Sequence, residues 1–147
     1  HTPFLRANIP GLLLWHFTDQ FYHTDNDRID KVSQETLKNV GTGALASAFK
    51  LLNADSDFGK QLIDSIMSAA KTRLNDEFAL SHKAIQDGAD SAEQIKIITT
   101  WNTWYLNTLD TIKDVEPNEN EVLNSAIEKA KKDLDSFTKT LTDKLTK

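Results

Sequence analysis

The chain has no cysteine at all. That single absence removes disulfides, thiolate nucleophiles, thiolate zinc sites and cysteine-held iron–sulfur clusters. Glycine and proline are scarce, five and three among 147 residues, so few positions can break a helix or make a tight turn. No apolar run approaches the ~20 residues a membrane-spanning helix needs, and none carries the basic leader of a signal peptide. Positive charge is also in deficit. With a net charge of −5 and a pI near 5.3, the summed field repels phosphate backbones and anionic lipid, which argues against nucleic acid as a partner. The first residue is His1 rather than methionine, which points to a processed, secreted form or a tag remnant. There is no Asn-X-Ser/Thr acceptor for N-glycosylation.

What remains is a helical pattern. The length fits one domain with a real core, so residues 1–147 are expected to form a single helical domain behind an extended or flexible stretch over 1–7. A first helix is predicted from about Asn8 to His23, with Pro10 in its opening turn, and a second from Asp27 to Asn39. Gly41-Thr42-Gly43 then separates that helix from a short third one over 44–52. Asp55-Ser56-Asp57 supplies a cap and acidic first turn for a long helix over 57–87 that stops at Gly88. Phe58, Leu62, Ile66, Ala70, Leu74, Phe78 and Ile85 mark its inner side.

Ser91 with Gln94 reads as a capping box opening a helix over 91–115, and Pro117 ends it. Asn118 with Glu121 opens the last helix, 118–145, with Glu119 also in its first turn. There Leu123, Ile127, Ala130, Leu134, Phe137, Leu141 and Leu145 recur at alternating steps of three and four, the seam of a helix packed along its whole length. The fold class is therefore all-α. The short connections at Gly88 and Pro117 predict an antiparallel helical bundle with three long helices and two to three shorter N-terminal ones.

Candidate chemistry is thin. In "LLLWHFTDQFYH" (12–23), a helix would set His16, Asp19, Gln20 and His23 on one polar strip. His16 and His23 would then lie about 10.5 Å apart along the axis, too far for one ion with bonds of ~2 Å. Only Asp19 with His23, completed from another helix, keeps a metal-assisted hydrolase as a minor alternative. His82 lies between Ser81 and Lys83, on a wet face. Asp25-Asn26-Asp27 and Asp55-Ser56-Asp57 both fail the calcium-loop test: neither has glycine at position six, and Thr36 and Ile66 stand where glutamate belongs. They read as caps. There is no Gly-X-Ser-X-Gly elbow, no glycine-rich phosphate cradle and no Glu-X-X-His pair. Lys129, Lys131 and Lys132 alternate with Glu128, Asp133 and Asp135 as a solvated face would. No catalytic residue, metal or cofactor is assigned, and the chain is expected not to be an enzyme.

The most distinctive stretch is "IKIITTWNTWYLNTLDTI" (95–112). Ile95, Ile98, Tyr105, Leu109 and Ile112 make one stripe, while Ile97, Trp101, Trp104 and Thr108 make a second beside it. So wide an apolar face requires either two packing neighbours or something outside the chain. Trp101, Trp104 and Tyr105, joined by Trp15 and Phe21, are the candidate ligand-binding residues. A cysteine-free series of amphipathic helices resembles, in composition, the exchangeable lipid-carrying apolipoproteins; the resemblance carries no motif and implies only a carrier role. Two functions follow as expectations: a secreted, non-enzymatic protein acting on a macromolecular partner, or a carrier of a fatty acid or other apolar small molecule in the bundle interior.

Overall fold

A computed structural model describes residues 2–116, 118 and 120–146. All regular structure among them is helical, in the order α1 (Thr2–Arg6), α2 (Gln34–Leu52), α3 (Ser56–Gln86), α4 (Ser91–Asp110) and α5 (Glu121–Leu145), with 3₁₀ turns at Ile29–Lys31 and Thr111–Val115. The chain divides into two compact units, residues 1–52 and 53–147. His1, Pro117 and Glu119, which the sequence reading used as terminus, breaker and first-turn acid, lie outside the described residues.

In the second unit α3, α4 and α5 each pack on the other two. Asp55 caps α3 by accepting a hydrogen bond from the Phe58 amide at 2.8 Å. Its far end closes as a Schellman motif: Gly88 N–H donates to the Ile85 carbonyl and Ala89 N–H to the Ala84 carbonyl. Gly88 sits at φ +99°, a conformation that costs a residue with Cβ ~1–2 kcal/mol. The cap of α4 is Asp90, one residue before the expected Ser91, accepting from the Ala92 amide at 2.6 Å. The α-helix then ends at Asp110, and the expected last turn to Val115 narrows to 3₁₀.

Asn120, rather than Asn118, caps α5. Its Oδ1 accepts from the Leu123 amide at 3.0 Å while Nδ2 donates to Ser56 Oγ and Glu116 Oε2, tying the start of α5 to that of α3.

The α5 seam buries Leu123, Ile127, Ala130, Leu134, Leu141 and Leu145 as spaced. The fifth position differs: Thr138 is buried and Phe137 is half-buried. Thr138 Oγ1 donates to Asn102 Oδ1 at 2.9 Å, and Asn102 Nδ2 donates to Asp135 Oδ1 at 2.7 Å. A hydroxyl is tolerated in the seam because α4 presents an amide that uses it. From α3 the core takes Ile63, Ala70 and Leu74, and from α4 Ile98 and Leu109.

Gly59 shows how close α3 comes to its neighbours. A Cβ built there meets Leu123 Cδ1 at 2.8 Å and Cδ2 at 3.1 Å, and Leu123 is itself fully buried. Gly59→Val is therefore expected to lower the unfolding free energy by about 2 kcal/mol despite valine's better helix propensity, read as a lower urea midpoint at unchanged m-value.

The first unit departs from expectation. No helix runs from Asn8 to His23: one helical turn spans Thr2–Arg6, where extended chain was expected, Asn8 takes φ +56°, and the chain then runs without regular structure into turns. Pro10 restricts Ile9 away from helical φ/ψ. Polar side chains supply competing local bonds: Asp19 Oδ1 accepts from the Phe21 amide at 2.8 Å, and Thr24 Oγ1 donates to the Phe21 carbonyl. His23, at φ +63°, closes the turn.

The second helix starts at Gln34 rather than Asp27, with only a 3₁₀ turn at Ile29–Lys31 before it, and runs on through the predicted third helix as one continuous α2, begun by Ser33, whose Oγ accepts from the Thr36 amide. Gly41 and Gly43 each cost roughly 1 kcal/mol against alanine but remove no backbone donor, so a helix can pass through them. Leu37, Val40, Ala44, Ala48 and Leu51 stay in phase across the pair. No residue of α1, α2 or the Ile29–Lys31 turn is buried.

Candidate functional site

The five candidate residues fall into two groups, one in each unit. Along α4 and the 3₁₀ turn after it the stripe of Ile98, Leu109 and Ile112 is buried, with Ile95 and Tyr105 half-buried beside it. The second stripe turns outward, leaving Ile97 40% and Trp104 54% exposed. Trp101, half-buried, anchors the group. Its ring carries the Arg73 guanidinium at 4.0 Å from the centroid, and Arg73 Nη2 is held by Glu77 Oε1 at 2.9 Å. Trp104 meets Tyr105 edge-on at 4.8 Å and Trp101 at 6.2 Å. Trp, Tyr and Arg on a firm helical support are the side chains that dominate binding hot spots. Neither Arg73 nor Glu77 stood out in the sequence; they are ordinary helix-surface residues until α3 is laid beside α4.

Trp15 and Phe21 line a cavity of about 590 Å3 within the first unit. Its apolar wall is Leu14, Trp15, Phe21, Val32, Leu37 and Val40, so the 14–21 segment and the first half of α2 face each other across it. Charge enters from Asp19, Asp27 and Lys31. Lys31 is already engaged, with Nζ 2.8 Å from Asp30 Oδ2 and 5.4 Å from the Phe21 ring centroid. Trp15 is braced by Phe17 at 4.9 Å and Tyr22 at 5.7 Å. Val32, Leu37 and Val40 escaped notice because the glycine pair seemed to cut their stripe short.

The histidines are occupied locally. His16 Nε2 lies 3.3 Å from Thr18 Oγ1, His23 stacks on Tyr22 at 3.9 Å, and His82 approaches Phe78 at 5.9 Å. Asp19 and His23 share no helical strip, since that segment forms no helix. Among the described residues, no group of three or more His, Asp or Glu side chains gathers in a way that could hold a metal ion. Asp55 is a cap and Asp57 pairs with Lys60 at 3.0 Å.

On α5, hydrogen bonding to Asp133 raises the Lys129 ammonium above its ordinary range and holds the Asp133 carboxyl below its own. Lys131 is raised mainly by its 2.8 Å bond to Asp110. Two of the three lysines are thus engaged in ion pairs. Among the described residues, no helix is long and apolar enough to cross a membrane. Comparison with family models, curated proteins and solved structures finds nothing that this chain matches.

Proposed function

We propose that the protein is a non-enzymatic binding protein acting outside the cell, in which residues 53–147 form a stable antiparallel helical bundle and residues 2–52 carry the contact surface for a protein partner. One observation carries this reading. Seventeen of the 21 large hydrophobic side chains exposed among the described residues lie within 2–52, with Leu12, Phe17, Ile29 and Leu52 each more than four-fifths exposed. Single exposed apolar residues are common, but so many within one 51-residue stretch is the pattern of a binding surface rather than of scattered surface positions.

Charge does not compete with that surface. Arg6, Arg28, Lys31, Lys38 and Lys50 balance Asp19, Asp25, Asp27, Asp30 and Glu35, so the net charge of the chain resides in 53–147. The attraction on offer is hydrophobic. In a full-length chain, a photoreactive side chain replacing Leu45 (62% exposed) is expected to give one adduct of defined mass from extracellular fluid, while the same group replacing the exposed Lys139 gives none. Equal labelling at both positions, or none at either, would remove the reading.

The cavity favours a second reading, in which a small molecule binds beside Trp15 and Phe21. Its volume lies within the ~300–1,000 Å3 of small-molecule sites, and six of its fourteen lining residues are aliphatic or aromatic, the rest being polar or charged. In this reading the ligand sits in the first unit rather than beside Trp101, Trp104 and Tyr105, whose central Trp104 is open to solvent.

A further inference from the structure

We propose that the cavity walled by Trp15 and Phe21 selects an organic cation, a primary or quaternary ammonium borne on an aryl or alkyl group. The proposal rests on the small-molecule reading and adds the sign of the ligand's charge. An apolar cavity with one lysine would ordinarily suggest a fatty-acid carboxylate. The arrangement here points the other way, because the lysine is already paired.

Lys31 Nζ holds Asp30 Oδ2 at 2.8 Å, and Asp30 is not part of the cavity wall. The wall then presents two carboxylates, Asp19 and Asp27, against the single, already paired Lys31. Asp19 uses Oδ1 on the Phe21 amide, which leaves Oδ2 without a hydrogen bond among the described residues. The Asp27 carboxylate likewise accepts no hydrogen bond among them, and only its backbone N–H is engaged, with the Thr24 carbonyl. A carboxylate ligand entering this space would meet two like charges and one cation that is already paired.

The aromatic walls argue in the same direction. The negative face of an indole or phenyl ring attracts a cation within about 6 Å of its centroid and does nothing comparable for an anion. Phe21 already demonstrates the geometry, with an ammonium of this chain at 5.4 Å from its centroid. Trp15, the stronger cation partner by ring type, has no such cation on it among the described contacts. Cation-attracting rings, carboxylate oxygens without a hydrogen bond among the described residues and a partly apolar wall together describe a site for an ammonium with a greasy substituent.

Three ligands sharing one skeleton test this on the full-length chain by titration calorimetry: 3-phenylpropyl-trimethylammonium, 3-phenylpropanol and 4-phenylbutanoate. The ammonium is expected to bind at least tenfold more tightly than the alcohol, and the carboxylate more weakly than either. Asp27→Asn should abolish most of the ammonium's advantage while leaving the alcohol's affinity unchanged, which also shows that the variant is folded. Lys31→Met should keep or increase that advantage. A carboxylate that binds as tightly as the ammonium, and loses its affinity in Lys31→Met, would overturn the proposal while leaving a small-molecule site in place. Equal affinity for all three would overturn it as well, and the absence of binding by any would remove both the proposal and the reading beneath it.

Discussion

Leu74→Ala is expected to remove about 3 kcal/mol of stability and to lower the melting temperature by roughly 10–20 °C, whereas Leu80→Ala, on the same helix, changes stability by less than ~0.5 kcal/mol. Leu74 is 0% exposed and Leu80 is 64% exposed. The contrast isolates burial, because both substitutions delete the same atoms and gain the same helix propensity. The upper end of the range applies at Leu74 because its site cannot collapse. Ala70, one turn before it, is 0% exposed and already small, and the core that receives Leu74 includes Ile98, Leu109 and Leu134, each also 0% exposed. Three helices that each contact the other two hold that space open from three sides, so the vacated volume stays empty. Thermal melts followed by circular dichroism decide the matter. Similar shifts for the two variants would mean that the interior is not close-packed.

The second unit was largely legible because its signals agree with one another. Along α5 the three-four spacing of Leu123, Ile127, Ala130, Leu134, Leu141 and Leu145 has a single consistent packing, and the structure buries all six. The one substitution in that row, Thr138 for Phe137, could not be read from α5 alone. Threonine is acceptable in a seam only when another helix supplies a partner, and Asn102 lies 36 residues away in sequence. Caps were legible to within one or two residues. Asp90 and Asn120 took the roles expected of Ser91 and Asn118, since several acceptors stand together before each helix and only the one three-dimensional start uses decides among them.

The first unit misled for a physical reason. "LLLWHFTDQFYH" has enough apolar residues to satisfy a helical period, but periodicity reports only which side chains could share a face. It says nothing about backbone competition from Pro10, Asp19 and Thr24. Conversely, the glycines at 41 and 43 read as punctuation, although each costs only roughly 1 kcal/mol against alanine and leaves the backbone hydrogen bonds of a helix intact. The cavity could not have been found in sequence, because Trp15 and Phe21 meet Leu37 and Val40 across a turn region whose course no pattern fixes. Their selection as ligand candidates rested on residue type alone; both stand in the wall of that cavity.

Expressed separately, residues 53–147 are expected to unfold as one cooperative transition and residues 1–52 to lose signal gradually with no calorimetric peak. Among the described residues, every one of the twelve buried apolar side chains belongs to 53–147, from Ile63 to Leu145, as do the buried Ser81, Asn102 and Thr138. A 95-residue segment with that core should absorb on the order of 65 kcal/mol near its midpoint, from the usual ~0.7 kcal/mol per residue. In 2–52 the balance is different. Ordering each backbone costs ~1–2 kcal/mol, and the compensating burial of large side chains is missing, since Phe4, Leu12, Trp15, Phe17, Leu45 and Leu52 all remain at least half exposed. Differential scanning calorimetry of the two segments provides the check: a sharp peak from 1–52 with enthalpy in proportion to its length would show a core that the burial pattern does not contain. The expected result bears directly on binding. A segment that gains its burial only against a partner or a ligand offsets its ordering cost at that moment, so it should bind more weakly per unit of contact area than a preformed surface. It should also become protected from proteolysis when the correct partner is present, which gives the search for that partner a readout independent of affinity.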